Sequence, residues 1–519
     1  MKFAVLPLAL VLAATACAPA KPPAVAALAP VGPSPSARLA DADALLRAGC
    51  LDCLLEAFHI YDALRPVPAV AGRAASGVIR AAGLVALRER SLGMSDSGHL
   101  PRARALLTAG SDLESAFAFL LQIIDGTAAR IGRLFSRRGA GEGSRLLPRR
   151  QDRLRWMELL RATADDDVLS ATVWVSFACE NSRSLGVSWR DALLAPLSMQ
   201  KDAPVVLFEV ATCSTLDADA LQAVVDRESR FREADYWMGF RELGRRRLDE
   251  SQALLTRAYE WHPQWPAAAL ALAGLSTTAE EFAPALELYD RALVLLPGLA
   301  DAMVGRVRAL SYLGRYADAV DGANGLLETM PADGYFWRAW NKNQLEQIDE
   351  AWSDVRHAER LWVNSEVAKL AGVIAYRRRE LDVARDRFET AGLLNASDCE
   401  SHFYLGGVRA ELRSWTPSEE AYLLAESCLE RSRMRLVEEV AAIQTSNAPE
   451  DRKARRVASR QQKIATADSM IRQSWFNLAV AYYNLQRPAE ARHYAELVVD
   501  DEQFGERART ILSDMRPQG

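Results

Sequence analysis

The sequence predicts an all-α protein, an elongated α-solenoid of stacked helical hairpins. Three observations carry that prediction. Pro263, Pro297 and Pro331 stand 34 residues apart, the period of a two-helix unit. Small residues keep step with them, at Ser251, Ala285 and Ala319 and then at Ala351, Ala384 and Ser418. Outside the helix-period pattern no segment is left that would build a compact catalytic domain. One hairpin buries too little apolar area alone, so neighbours must stack, and seven readable units meet that need.

The amino terminus reads as a targeting segment. Lys2 supplies the positive charge, and Phe3 to Ala16 is one apolar run too short to span a bilayer. It ends in Ala14-Thr15-Ala16-Cys17, which resembles the lipobox of bacterial lipoproteins, with Ala14 where that family prefers Leu. The resemblance implies a signal peptide over 1–17 and lipid attachment at Cys17. Ordinary secretory cleavage is the alternative. Ala18 in place of Asp then implies an outer-membrane lipoprotein facing the periplasm of a bacterial cell envelope. Residues 18–36 are Pro- and Ala-rich with almost no charge, a tether with no core of its own.

Roughly 500 residues follow the leader, too many for one compact core. The net charge of −5, with 25% charged residues well mixed, gives no bias toward nucleic acid. Residues 37–231 read as irregular helical hairpins of the same general kind. In 37–66, Leu51, Leu54, Phe58, Tyr61 and Pro66 fit a second-helix frame, and 69–93, 101–124 and 151–180 carry helix-period apolar positions. The β-branched run 203–213 has no strand to pair with, so a buried helix is expected. The loop 133–150 is Gly-rich and basic without a Gly-Lys-Ser/Thr ending, so it is no phosphate loop. An exposed linker is expected there, with contact to an anionic lipid or polymer as the alternative.

The stretch 232–500 carries the regular array. Its first unit has Gly239, Ser251, Leu255, Ala258 and Pro263, and its second Ala273, Ala285, Tyr289, Ala292 and Pro297. The third contains LGRYADAV, from Leu313 to Val320. Later units hold Ala339, Ala351 and Ala358, then Gly372, Ala384, Phe388 and Ala391, then Gly406, Ser418, Tyr422 and Ala425. The last has Trp475, Leu478, Ala479, Tyr482 and Ala491. In this frame the chain resembles the tetratricopeptide repeat family, which sets small residues where two helices cross. The array is interrupted at 429–468, a helical insertion or a lengthened hairpin with a basic run whose expected fate is a solvated face. Residues 501–519 read as a capping helix.

The resemblance implies function by binding. First helices line a concave groove that takes extended peptides or partner helices. Carrying the inward positions over gives Arg308, Phe336, Trp340, Asn343, Lys369, Tyr376, Phe403 and Tyr483 as the partner-binding wall. Trp340→Ala is expected to weaken capture with little change in melting. Only Lys369 suits a carboxylate clamp, which disfavours that specialised mode.

No chemistry-bearing constellation emerges. The six histidines form no ligand pair, and there is no His-Glu-x-x-His or Gly-x-Ser-x-Gly. No catalytic residue, metal or cofactor is expected. In an oxidising compartment the cysteines beyond Cys17 suggest up to three disulfides. Cys399 with Cys428 would join adjacent ends of antiparallel helices, and Cys179 with Cys213 is a weaker pairing. Cys50 and Cys53 form a local disulfide, stay as buried thiols, or do redox chemistry. The functional expectation is an envelope scaffold that recognises other proteins, touches the membrane only through its lipid, and takes no nucleic acid or small-molecule substrate. The alternatives are a cell-wall or carbohydrate-handling protein of the transglycosylase kind, which would need a lysozyme-like domain with an acid Glu, and a cytoplasmic adaptor if the leader is not a signal.

Overall fold

The computed structural model describes residues 33–94, 97–107, 120, 158, 160–185, 194–213 and 218–515, and its regular structure there is helical with no strand. The leader with Cys17, the tether up to residue 32 and the loop 133–150 lie outside the described residues.

The amino-terminal helices are α1 (Pro35–Ala48), α2 (Leu51–Leu64), α3 (Ala71–Ser91), α4 (His99–Leu106), α5 (Val168–Leu185), α6 (Pro204–Ala211) and α7 (Ala218–Arg227). Helix α1 opens inside the expected tether. Ser34 accepts a hydrogen bond from the Ala37 N–H at 3.2 Å, and Pro35 presets the first turn. It closes at Gly49, whose φ of 71° is left-handed and whose N–H returns to Leu45 O. A Cβ there would fall 2.1 Å from that of Val205, so only glycine lets α1 approach α6. The run 203–213 is indeed a buried helix, with Val205, Val206 and Phe208 at most 1% exposed.

The array follows as α8 (Glu233–Gly244), α9 (Leu248–Trp261), α10 (Pro266–Thr278), α11 (Phe282–Leu295), α12 (Ala300–Tyr312), α13 (Tyr316–Leu326), α14 (Pro331–Gln344), α15 (Ile348–Leu361), α16 (Ser365–Arg377), α17 (Leu381–Leu394), α18 (Cys399–Glu411), α19 (Trp415–Thr445), α20 (Glu450–Asn484) and α21 (Pro488–Glu496). Helix α22 (Gly505–Asp514) ends it, with Phe504 and Ala508 buried against Phe476 and Ala479. Each helix packs mainly on its sequence neighbours, the contact pattern of a solenoid.

The frame is visible in the turns. Residues Arg246, Glu280, Gly314, Glu346, Arg379, Arg413 and Gln486 all have φ between 57° and 74°. Each stands five positions before the small residue of the following helix. After each, the next N–H reaches back five residues, as in Arg247 to Glu242 O at 2.9 Å and Glu281 to Ser276 O at 2.8 Å. This is a Schellman closure, repeated seven times in the array. The crossing residues Ser251, Ala285, Ala319, Ala351, Ala384, Ser418 and Ala491 are all 0% exposed. Where serine occupies the crossing, its hydroxyl donates to the opposite backbone: Ser251 to Gly239 O and Ser418 to Gly406 O, both at 2.8 Å. At Gly406 a Cβ would sit 2.8 Å from the Tyr422 ring, so the large second-helix side chain requires the small first-helix one. The chain is thus a solenoid of tetratricopeptide-type hairpins.

Two departures stand out. Pro263 and Pro297 follow the ends of α9 and α11, whereas Pro331 is the first residue of α14, because α13 stops early at Leu326. The segment 429–468 is no separate element. It prolongs α19 to 31 residues and α20 to 35, so the sixth and seventh units share one lengthened hairpin. A single buried cluster runs from Leu39 to Leu275 and so crosses the 231/232 boundary; fully buried Trp265 also donates to Leu92 O at 2.5 Å.

Candidate partner-binding wall and buried charge cluster

In first helices of the array, the position just after the residue that faces each crossing carries several large side chains. Trp340 follows Ala339 there and Arg308 follows Val307; Arg308 is exposed. Around them lies an aromatic patch. Tyr312, 53% exposed, stacks on Phe282 with centroids 4.5 Å apart, and its ring is 6.1 Å from Trp340. Trp340 in turn lies 5.9 Å from Tyr316 and 6.1 Å from Trp337, and Phe336 lies edge-on to Trp337 and Trp362. Offset and edge-on pairs of this kind hold rings rigid while leaving faces open.

The structure thus gathers Arg308, Phe336 and Trp340 into one region and scatters the remaining expected residues. Asn343 is buried, and both its carbonyl and its Oδ1 accept from Arg377 Nη1 at 2.6 and 2.9 Å. It ties two hairpins together. Lys369 is enclosed by Glu366, Asp398 and Glu400 at 3.2–3.4 Å. Burial alone would lower its pKa, but those three carboxylates outweigh burial and raise it. Its ammonium is already neutralised, so a carboxylate clamp has no free cation at this position. Tyr376 donates to Glu411, and that hydrogen bond with burial raises its pKa. Phe403 is core, 8% exposed and edge-on to Tyr422. Tyr483 is exposed, at the rim of a shallow depression of about 490 Å³ that Arg487, Pro488 and Met515 also line.

Trp340 is half-buried and touches the clusters on both sides, so its truncation removes packing as well as surface. Tyr312 and Phe240, 50% exposed, are the more accessible rings. Both were findable: Phe240 directly follows Gly239 as Trp340 follows Ala339, and Tyr312 is one helical turn beyond Arg308.

The six cysteines among the described residues are paired. Cys399 joins Cys428 across the start of α18 and the middle of α19, and Cys179 joins Cys213 across α5 and the end of α6. Cys50 joins Cys53 in the first turn of α2, with both residues 0% exposed. No thiol partner reaches that bond without local opening.

Beside it lies a charge cluster that no sequence pattern announced. Arg88, 1% exposed, lies with its guanidinium 3.9 Å over the Phe208 ring and 4.9 Å over that of Phe231. Its Nη2 is 3.7 Å from Glu209 and donates to Gly49 O at 3.3 Å. Glu233, 0% exposed, accepts from the Leu51 N–H at 2.6 Å. Burial pushes Glu233 up to about 7, against the opposing pull of Arg88. Burial likewise raises Glu209 and lowers Arg88. The cluster joins α2, α3, α6 and α8, and its depth suits cohesion rather than catalysis.

Among the described residues no group of three or more His, Cys, Asp or Glu is placed to hold a metal, and no helix is long and apolar enough to cross a membrane.

No protein-family model and no curated protein matches the sequence. Solved structures share helical hairpins with it. A thermophilic TPR protein of Thermus thermophilus is 18% identical, the match covering 34% of this chain and 98% of that one at a TM-score of 0.30. Pseudomonas aeruginosa pilF is 16% identical over 55% of this chain and 97% of its own, at a TM-score of 0.29. The APC/C hetero-tetramer Cut9-Hcn1 is 13% identical over 90% and 94%, at a TM-score of 0.37. These are likenesses of hairpins, and the fold itself rests on the turns, crossings and core described above.

Proposed function

We propose that this protein is an interaction scaffold, held at a bacterial envelope membrane by a lipid on Cys17, whose aromatic wall recognises segments of other proteins. The observation that carries the binding part is the patch at Phe282, Tyr312, Phe336 and Trp340: a cluster of large rings on a helical backing, with Tyr312 53% exposed and the other three half-buried around it. Large rings that lose little rotamer freedom are the usual anchors of protein recognition. A peptide with an apolar side chain fits those rings, and exposed Arg308 beside them favours an acidic group on it.

The wall is tested by a photo-crosslinking residue placed at Tyr312 and, separately, at exposed Glu287 on α11, the second helix of the preceding hairpin. Discrete adducts from position 312 and none from 287 support the reading. Equal adducts from both, or none from 312, overturn it. The anchor is a separate claim, tested with labelled palmitate. Label that vanishes in Cys17→Ser supports lipidation, and label that persists refutes it.

A further inference from the structure

In a solenoid each unit touches its neighbours, so contacts between distant units need a cause. The lengthened hairpin α19–α20 makes such contacts. Other helices of the array run 9 to 14 residues, while these two run 31 and 35. The excess is not needed to complete the units, because Ser418, Tyr422 and Ala425 at one end and Leu478 and Ala479 at the other already keep the frame.

The distal half of this hairpin has almost no apolar core. Beyond Leu429 no residue of α19 is buried, and before Ala467 the only buried residue of α20 is Arg456. Two helices with so little apolar burial do not hold together through it. What they have is charge on one side. Arg452, Arg456, Ser459, Arg460 and Lys463 recur at helical spacing along α20.

That stripe meets acidic residues of the first two hairpins. Arg456 reaches Asp249, in the first turn of α9, at 2.8 Å across 207 positions of sequence. Glu280 takes Arg460 at 2.9 Å and also accepts from Ser459 and Lys463. Arg452 lies 3.7 Å from Glu281. Burial pushes the Glu280 carboxyl up, but these donors outweigh it and leave its pKa below the ordinary range.

The target is chosen by its turn. Among the seven hairpin turns only Glu280-Glu281 is doubly acidic, and the preceding turn, Arg245-Arg246-Arg247, would repel a basic helix. Glu280 also stands at a φ of 64°, where the third hairpin uses Gly314.

We propose that the α19–α20 hairpin is a reversible electrostatic clasp, closing the array between its first two units and its last two and setting how far the arc between them opens. The contact is polar, and Arg456 Nε and Nη2 are buried without a hydrogen-bond partner among the described residues. Such a latch gains little net stability and is weakened by salt.

Hydrogen exchange on the full chain tests the clasp. In the unmodified protein, raising salt from about 0.05 to about 0.5 M is expected to cut protection of the 450–463 amides at least tenfold, with α16 unchanged, as the Debye length shrinks. Glu280→Lys is expected to produce the same loss at low salt and a larger radius of gyration by X-ray scattering. Adding Arg460→Glu and Lys463→Glu to that variant should restore both. Protection that ignores salt, a reversal variant that stays closed, or a swap that fails to restore closure in a folded chain overturns the proposal. Should the variants not fold, the salt series on the native chain decides alone.

Discussion

The array and the amino-terminal region solve the same packing problem differently. In the array, outside the lengthened hairpin, cohesion is local. Ser418 bonds to Gly406 within its hairpin, and Arg338 pairs with Asp354 at 2.5 Å within its own. In the amino-terminal region, helices far apart in sequence meet through buried polar groups. Leu51 reaches Glu233 across 182 positions, and Arg88 links α3 to α6. The difference teaches where each part is vulnerable. Losing a charge in the array weakens one hairpin, while losing Arg88 strands two buried carboxylates.

That contrast fails most visibly at Arg88. Arg88→Met should cost about 3–5 kcal/mol in urea unfolding of the full chain, because Glu209 and Glu233 lose their countercharge. Arg338→Met should cost only about 1 kcal/mol, since Lys342 remains 3.0 Å from Asp354. Equal costs at the two sites would erase the distinction between local and long-range cohesion.

A second consequence is a pH dependence centred on Glu233, where α8 meets the amino-terminal helices. Glu233 is raised from an ordinary glutamate value of 4.5 to about 7 in the folded chain. Between those values the folded state holds a proton that the unfolded state has released. Its contribution is therefore fully present below 4.5 and lost as the pH rises through about 7, with a slope of up to about 1.4 kcal/mol per unit. Glu233→Gln should flatten that slope. A slope unchanged by the substitution would show that another group carries it.

The smallest effect sharpens the array side. Ser418→Ala removes the hydrogen bond to Gly406 O and should cost at most about 1 kcal/mol in the melting of the sixth unit, because alanine fills the same crossing elsewhere. A loss several times larger would mean that the serine hydroxyl, and not small size, defines the crossing.

Much of the array could be read in advance. Its period, its crossing residues and the large second-helix residues Tyr289, Phe388 and Tyr422 follow from spacing that a hairpin must obey. The wall was less legible. Asn343 and Lys369 occupy groove-lining positions in the frame, yet Arg377 and the carboxylates around Lys369 consume them. Position along a helix states which way a side chain starts and not what meets it there. Phe403 departs from expectation for that reason, since its register is groove-lining but Tyr422 and its neighbours close over it. The left-handed turn residues were missed because the sequence at those positions is Arg, Glu or Gln as well as Gly. Their conformation comes from the closure of two helices, not from their own preference.

By itself the sequence determined the helical class, the hairpin period and the small-to-large pairing at each crossing, because these depend on residues within about one repeat of each other. Only the tertiary structure decided that Arg88 is sealed between Phe208 and Phe231, that Tyr312 stays open, and that α20 returns to Glu280. Those outcomes depend on how successive hairpins rotate against one another. That rotation brings together groups more than 170 positions apart, as in the 179 that separate Ser459 from Glu280.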